Sequence, residues 1–159
     1  MNDEITKRLE VELKSLRDSY ITANPRQRLK IIMQRINRPS AGPNVLVTLV
    51  GCIESLSRSL VMHLDTKNKD KLRKCYSKYR NRKPQTLVED YCRLKGKEDS
   101  KKYFGEENWK RFILAIGYRN LLAHESTYLA NYKFMPLEEA CREILKRLAK
   151  LARLKCNEL

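Results

Sequence analysis

The sequence predicts an all-helical bundle. Apolar residues return every three or four positions along most of the chain, a spacing that places them on one side of a helix. Glycine and proline number five each, and runs of β-branched residues are few, so strands and tight hairpins have little to build from. The 159 residues, 42% of them hydrophobic, suit one domain with a sizeable core. No stretch approaches the roughly 18–20 unbroken apolar residues that a membrane span needs. The opening Met-Asn-Asp-Glu-Ile-Thr-Lys lacks the basic-then-apolar pattern of a secretory signal. A cytoplasmic protein without membrane contact is the expectation.

Taken in order, the first helix is expected from about Asp3 to Ile21, with Ile5, Leu9, Leu13 and Leu16 on one stripe. Asn24 then reads as an N-cap, Pro25 as the first helical position and Gln27 as the reciprocal third residue of a capping box. Leu29, Ile32, Met33 and Ile36 give that second helix its apolar face. Pro39-Ser-Ala-Gly-Pro43 breaks the chain. From about Pro43 to Leu64, Leu46, Leu49, Ile53, Leu56, Leu60 and His63 alternate at three and four, which predicts a helix central to the core. His63, on that stripe, reads as a packed core histidine.

Residues 67–83 change character: nine are basic and one, Asp70, is acidic. Thr86-Leu-Val-Glu89 reads as a capping box for a short helix that Gly96 ends, and a lysine-rich loop continues to about Gly105. The segment 67–105 is therefore expected to be a basic insertion. The bundle core is expected at 43–64, 106–128 and 136–156, with 1–38 supplying N-terminal helices. Glu106 and Glu107 suit the first turn of the next helix, where its dipole favours acids. Pro136 is expected to open the last helix, with Leu137, Cys141, Ile144, Leu148 and Leu151 as its stripe. Gly51 and Gly117, inside otherwise apolar helices, suggest a close helix crossing.

Lysine and arginine total 34 against 19 acids, a net charge of +15. Such a field favours polyanions. Nucleic acid is preferred to an acidic protein or to solubility alone, because the charge clusters. Lys71, Arg73, Lys74, Lys78, Arg80 and Arg82 are candidates to track phosphates, with Tyr76 and Tyr79 to stack on bases. A solvated helix face or a loop is the plainer reading of the same run. The five cysteines (Cys52, Cys75, Cys92, Cys141 and Cys156) are scattered, which suggests reduced thiols. With His63 and His124 they make no zinc-ligand spacing, so neither a metal nor a cofactor is expected.

From Phe112 to His124 the chain is apolar on nearly every helical face, so this helix is expected to be mostly buried, yet Arg119 and Asn120 sit inside it. A buried guanidinium needs a partner, and a structural salt bridge such as Arg119 to Glu54, with His124 at the fraying helix end, is the plainer explanation of these residues. Asn120 and His124, four apart, are neighbours on one face. Arg119 lies about 140° from His124 on an ideal helix. Arginine offers a fork of donors to phosphate oxygens, histidine a proton acceptor and donor, and asparagine an orienting hydrogen bond.

The run Arg119-Asn120-Leu121-Leu122-Ala123-His124 resembles the signature of the HEPN superfamily: Arg, a polar residue, three more, then His. Glu54-Ser-Leu-Ser-Arg58 is similar to the Glu-x3-basic element of several HEPN families. The resemblance spans roughly residues 43–155 and implies a HEPN-type helical bundle. It also implies a prokaryotic-type, metal-independent endoribonuclease whose site forms where two copies of the motif meet in a homodimer. By that analogy His124 moves the proton of the ribose 2′-hydroxyl or of the leaving 5′-oxygen. Arg119 holds charge on the pentavalent phosphorus, and Asn120 orients His124 or the phosphate. The products are a 2′,3′-cyclic phosphate and a 5′-hydroxyl, and Glu54 and Arg58 play a supporting part. A toxin or defence effector with an antitoxin or regulatory protein as partner fits the family. Ser126 stands where HEPN toxins silenced by a nucleotidyltransferase carry a tyrosine, and the first tyrosine here is Tyr128. That route of control is not implied. The alternative is a catalytically silent HEPN-like module that binds RNA, nucleotide or a protein partner.

Overall fold

The computed structural model describes residues 2–37, 42–125 and 130–155. Among them the chain forms α1 (Asn2–Thr22), α2 (Pro25–Ile36), α3 (Asn44–Asp65) and α4 (Lys69–Tyr79). It continues as α5 (Pro84–Leu94), α6 (Ser100–Phe104), α7 (Glu106–His124) and α8 (Asn131–Leu151), with no strand among the described residues.

The bundle is built around α3. Leu46, Leu49, Val50, Ile53 and Leu56 are almost wholly buried on it, and α2, α4, α5, α7 and α8 all pack against it. Removing a side chain of that size from such a core costs about 2–5 kcal/mol, which makes α3 the element least tolerant of change. It is also the one helix among the described residues long and apolar enough to cross a membrane, and most of it is buried inside the bundle.

Local signals place the neighbouring elements. Asn24 Oδ1 accepts from the Gln27 backbone N–H and Gln27 Oε1 accepts from the Asn24 N–H, both at 2.9 Å, so the predicted capping box starts α2. Residues 39–41 of the expected break lie outside the described residues. Gly96, at φ +72°, ends α5 as expected: the Lys97 N–H reaches back to the Cys92 carbonyl and the Gly96 N–H to that of Arg93.

Other expectations are corrected. The 67–105 segment is not an insertion on a finished core. Leu87, Val88, Tyr91 and Cys92 of α5 are buried, α5 lies along α3, and Phe104 of the short α6 stacks on Trp109. The lysine-rich stretch before Gly105 thus holds a helix rather than only a loop. Nor does Thr86 cap α5. Pro84 occupies the first turn, where its missing N–H goes unneeded, and Thr86 lies within the helix. Pro136 does not open α8, which begins at Asn131 and carries the proline inside. Phe134, 6% exposed, and Leu137 bury together, and that packing holds a turn the proline alone would interrupt. The close-crossing reading of the glycines fails as well, since a Cβ at Gly51 or Gly117 would meet nothing within 4 Å.

Candidate functional site

The motif helix faces two ways. Trp109, Phe112 and Ala115 of α7 point inward and are buried. Ile113, Leu114, Gly117, Asn120, Leu121 and His124 are all exposed. At about 100° per residue these six share one face, with Gly117 and His124 near its centre. The expectation of a helix buried on nearly every side is therefore corrected: α7 packs on α3, α6 and α8, which leaves its far side uncovered.

Arg119 lies on the side of α7 that meets α3. Its Nη2 stands 3.5 Å from Glu54 Oε2, the ion pair the sequence suggested. The other Glu54 oxygen accepts from Arg58 Nη2 at 2.5 Å. Arg58 is 6% exposed, and its Nη1 donates to the Tyr20 hydroxyl at 2.8 Å. One carboxylate thus sits between two guanidiniums, with water largely excluded on the Arg58 side, so the attraction is screened less than at a surface. The Nε atoms of Arg58 and Arg119 are buried without a hydrogen-bond partner among the described residues.

The structure brings Arg119 together with Glu54 and Arg58, and sets Asn120 and His124 side by side on the exposed face. It does not bring Arg119 to His124 within one chain: no hydrogen bond or ion pair joins them among the described residues. Ser126 and Tyr128 lie outside the described residues.

The basic candidates divide in the same way. Lys71, Lys74, Lys78 and Arg80 are exposed along α4 and its end. Arg73 is held by Asp18 of α1 through Nε at 2.7 Å and Nη2 at 3.0 Å, and by Asp70 at 2.7 Å. Hydrogen bonding from Arg73 keeps the Asp18 carboxyl below its ordinary range. Arg82 pairs with Asp90 and lies over the Tyr79 ring. Tyr79 itself is buried, 6% exposed, with its hydroxyl toward Asp65, so it offers no ring to a base. Tyr76 is half-buried, edge-on to Tyr20 at 6.0 Å between centroids.

Sequence reasoning passed over Arg28 and Tyr20. Arg28 is 6% exposed, donates to the Tyr20 carbonyl and lies 3.9 Å from the centre of the Tyr20 ring. Burial pushes its pKa down. The available signal was that Arg28 falls one turn before Ile32, on the apolar face of α2. His63 is half-buried and its Nδ1 lies 2.9 Å from the Ser59 carbonyl, a helix-end contact apart from the motif. Cys52, Cys75, Cys92 and Cys141 are free thiols. Burial pushes Cys52 and Cys92 up to about 11 and Cys141 up to about 12, so these three stay protonated and unreactive at neutral pH. No group of three or more His, Cys, Asp or Glu suited to a metal ion occurs among the described residues.

Comparison with known proteins returns no matching family model, no curated relative and no similar solved structure.

Proposed function

We propose that this chain is a HEPN-type endoribonuclease that cuts RNA without a metal, in a site made by two copies of α7. The observation that carries the reading is the exposed α7 face. It sets Asn120 and His124 beside uncovered Ile113, Leu114 and Leu121, with Gly117 leaving room for close approach. A two-fold contact there would cover the apolar residues and gather two His124 rings around one phosphate. One imidazole takes the proton of the ribose 2′-hydroxyl as that oxygen attacks phosphorus. The second donates a proton to the departing 5′-oxygen, leaving a 2′,3′-cyclic phosphate and a 5′-hydroxyl. Asn120 orients the ring or the phosphate. Arg119, swung from Glu54, meets the charge that develops on the phosphoryl oxygens. The exposed Lys71, Lys74, Lys78 and Arg80 supply a phosphate-tracking surface, and the family reading extends to a toxin or defence effector with a protein regulator.

One observation favours a second reading, a catalytically silent HEPN-like module that binds RNA, nucleotide or a protein. Arg119 pairs with Glu54 rather than with His124.

Incubating the purified chain with RNA in EDTA and mapping the cut ends separates the two. Under the ribonuclease reading His124→Ala lowers the rate by ~10²–10⁴ and Arg119→Ala by ~10²–10³, less than additively when combined. Thermal melts of both variants run alongside. A wild type that cuts no RNA, with both variants folding and binding RNA as it does, leaves the binding module standing.

A further inference from the structure

The stripe of α1 is on the outside. Every residue from Glu4 to Ser19 is exposed, and Ile5, Leu9, Leu13 and Leu16 are 55–66% exposed. Contacts with the folded body hold the last turns, by Asp18 to Arg73 and by Tyr20 against Tyr76, Arg28 and Arg58. A helix that buries no apolar face is marginal in water, and four large apolar side chains in a row on one side mark an association surface. The stripe runs into an open groove of about 950 Å³ between α1 and α2, floored by Leu13, Leu16, Tyr20 and Ile31.

Charge indicates what covers it. α1 holds five acids (Asp3, Glu4, Glu10, Glu12, Asp18) against four bases (Lys7, Arg8, Lys14, Arg17), a net charge of −1, so the rest of the chain carries +16. A polyanion gains little from such a surface. A helix with an apolar stripe and interleaved charges of both signs suits it, and a second α1 is such a helix. Leu13 and Tyr20 take a positions and Leu9 and Leu16 d positions of a heptad, which sets Glu10 and Arg17 both at e. In an antiparallel pair, e faces e, so the Glu10 and Arg17 of one copy meet the Arg17 and Glu10 of the other. Neither makes an ion pair inside its own chain among the described residues. The antiparallel sense also separates like charges. The folded body sits at the C-terminal end of α1, and a helix of this length, about 30 Å, holds two +16 bodies at opposite ends.

We infer that α1 is a self-association surface, on which the α1 of a second copy lies antiparallel, its Ile5 and Leu9 over the groove at Leu16 and Tyr20. The surface is separate from the α7 face and does not depend on ribonuclease activity, because α1 packs chiefly on α4 whereas α7 packs on α3, α6 and α8.

Sedimentation of the full chain at physiological salt tests it, with circular dichroism as a check of folding. Leu9→Glu with Leu16→Glu should abolish one association step and halve the mass at tens of micromolar. Glu10→Lys alone, or Arg17→Glu alone, should weaken that step about tenfold, and the two together should restore it. All four positions are exposed, so the variants keep the fold. Gly117→Leu, aimed at the α7 face, should leave this step intact, which keeps its failure distinct from failure of the ribonuclease reading. A monomeric wild type, or a mass unchanged by the two leucine substitutions, overturns the proposal. Rescue of Arg17→Glu by Glu12→Lys rather than by Glu10→Lys overturns the antiparallel arrangement.

Discussion

Glu54 holds two arginines at once, Arg58 at 2.5 Å and Arg119 at 3.5 Å, and only 21% of its side chain reaches solvent. Removing a carboxylate from such a place strands the Arg58 guanidinium, which is 7% exposed. Glu54→Ala should therefore cost about 2–4 kcal/mol in urea unfolding. Glu54→Gln should cost less, since an amide oxygen still accepts a hydrogen bond. Glu4, whose 3.0 Å pair with Arg8 is mostly in water, is the control: Glu4→Ala should change stability by less than about 0.5 kcal/mol. Equal unfolding midpoints for the two alanine variants would show that the buried pair contributes nothing. Asp18 adds a pH dependence of known sign. Its folded pKa is lowered by Arg73, so its hold on α4 is complete above the ordinary carboxylate range and is lost as pH falls through the lowered value.

At the scale of elements, α7 carries one face of core and one face without cover. Gly117→Leu separates these, because a Cβ added there meets nothing within 4 Å and the position is exposed. The helix should gain up to about 1 kcal/mol from losing a glycine, so melting stays level or rises, while RNA cutting falls if two copies meet on this face. Cutting that survives Gly117→Leu would place the second copy elsewhere. The elements most legible in the sequence were those with local causes. The Asn24–Gln27 box fixed the start of α2, and the Leu46-to-Leu60 stripe located α3 to within a residue. α5 and α8 were misjudged because their starts depend on packing as well as punctuation: Pro84 outcompetes Thr86, and buried Phe134 carries α8 upstream of Pro136. The Arg119–Glu54 pair was readable because a guanidinium in an apolar helix demands an acid. The inward turn of Tyr79 and the exposure of α1 were not, since a periodic stripe shows that a helix has an apolar side and not what lies against it.

For the molecule as a whole, charge and burial point to different surfaces. Neutralising Lys71, Lys74, Lys78 and Arg80 should weaken RNA binding and flatten its salt dependence by about 0.7 log unit per lost phosphate contact. The same treatment of Arg73 and Arg82, already engaged by Asp18, Asp70 and Asp90, should perturb stability more than affinity. Filter-binding titrations across salt concentrations measure this directly, and an unchanged slope would leave α4 a solvated face. The central place of α3 also governs how the chain is made. The helix leaves the ribosome before α7 and α8, which supply part of its cover and whose residues are translated some sixty to a hundred positions later. Until Ile144 and Leu148 emerge, Leu49, Ile53 and Leu56 lack part of their enclosure. A stalled or truncated message would therefore release a sticky, protease-sensitive fragment rather than a smaller folded protein.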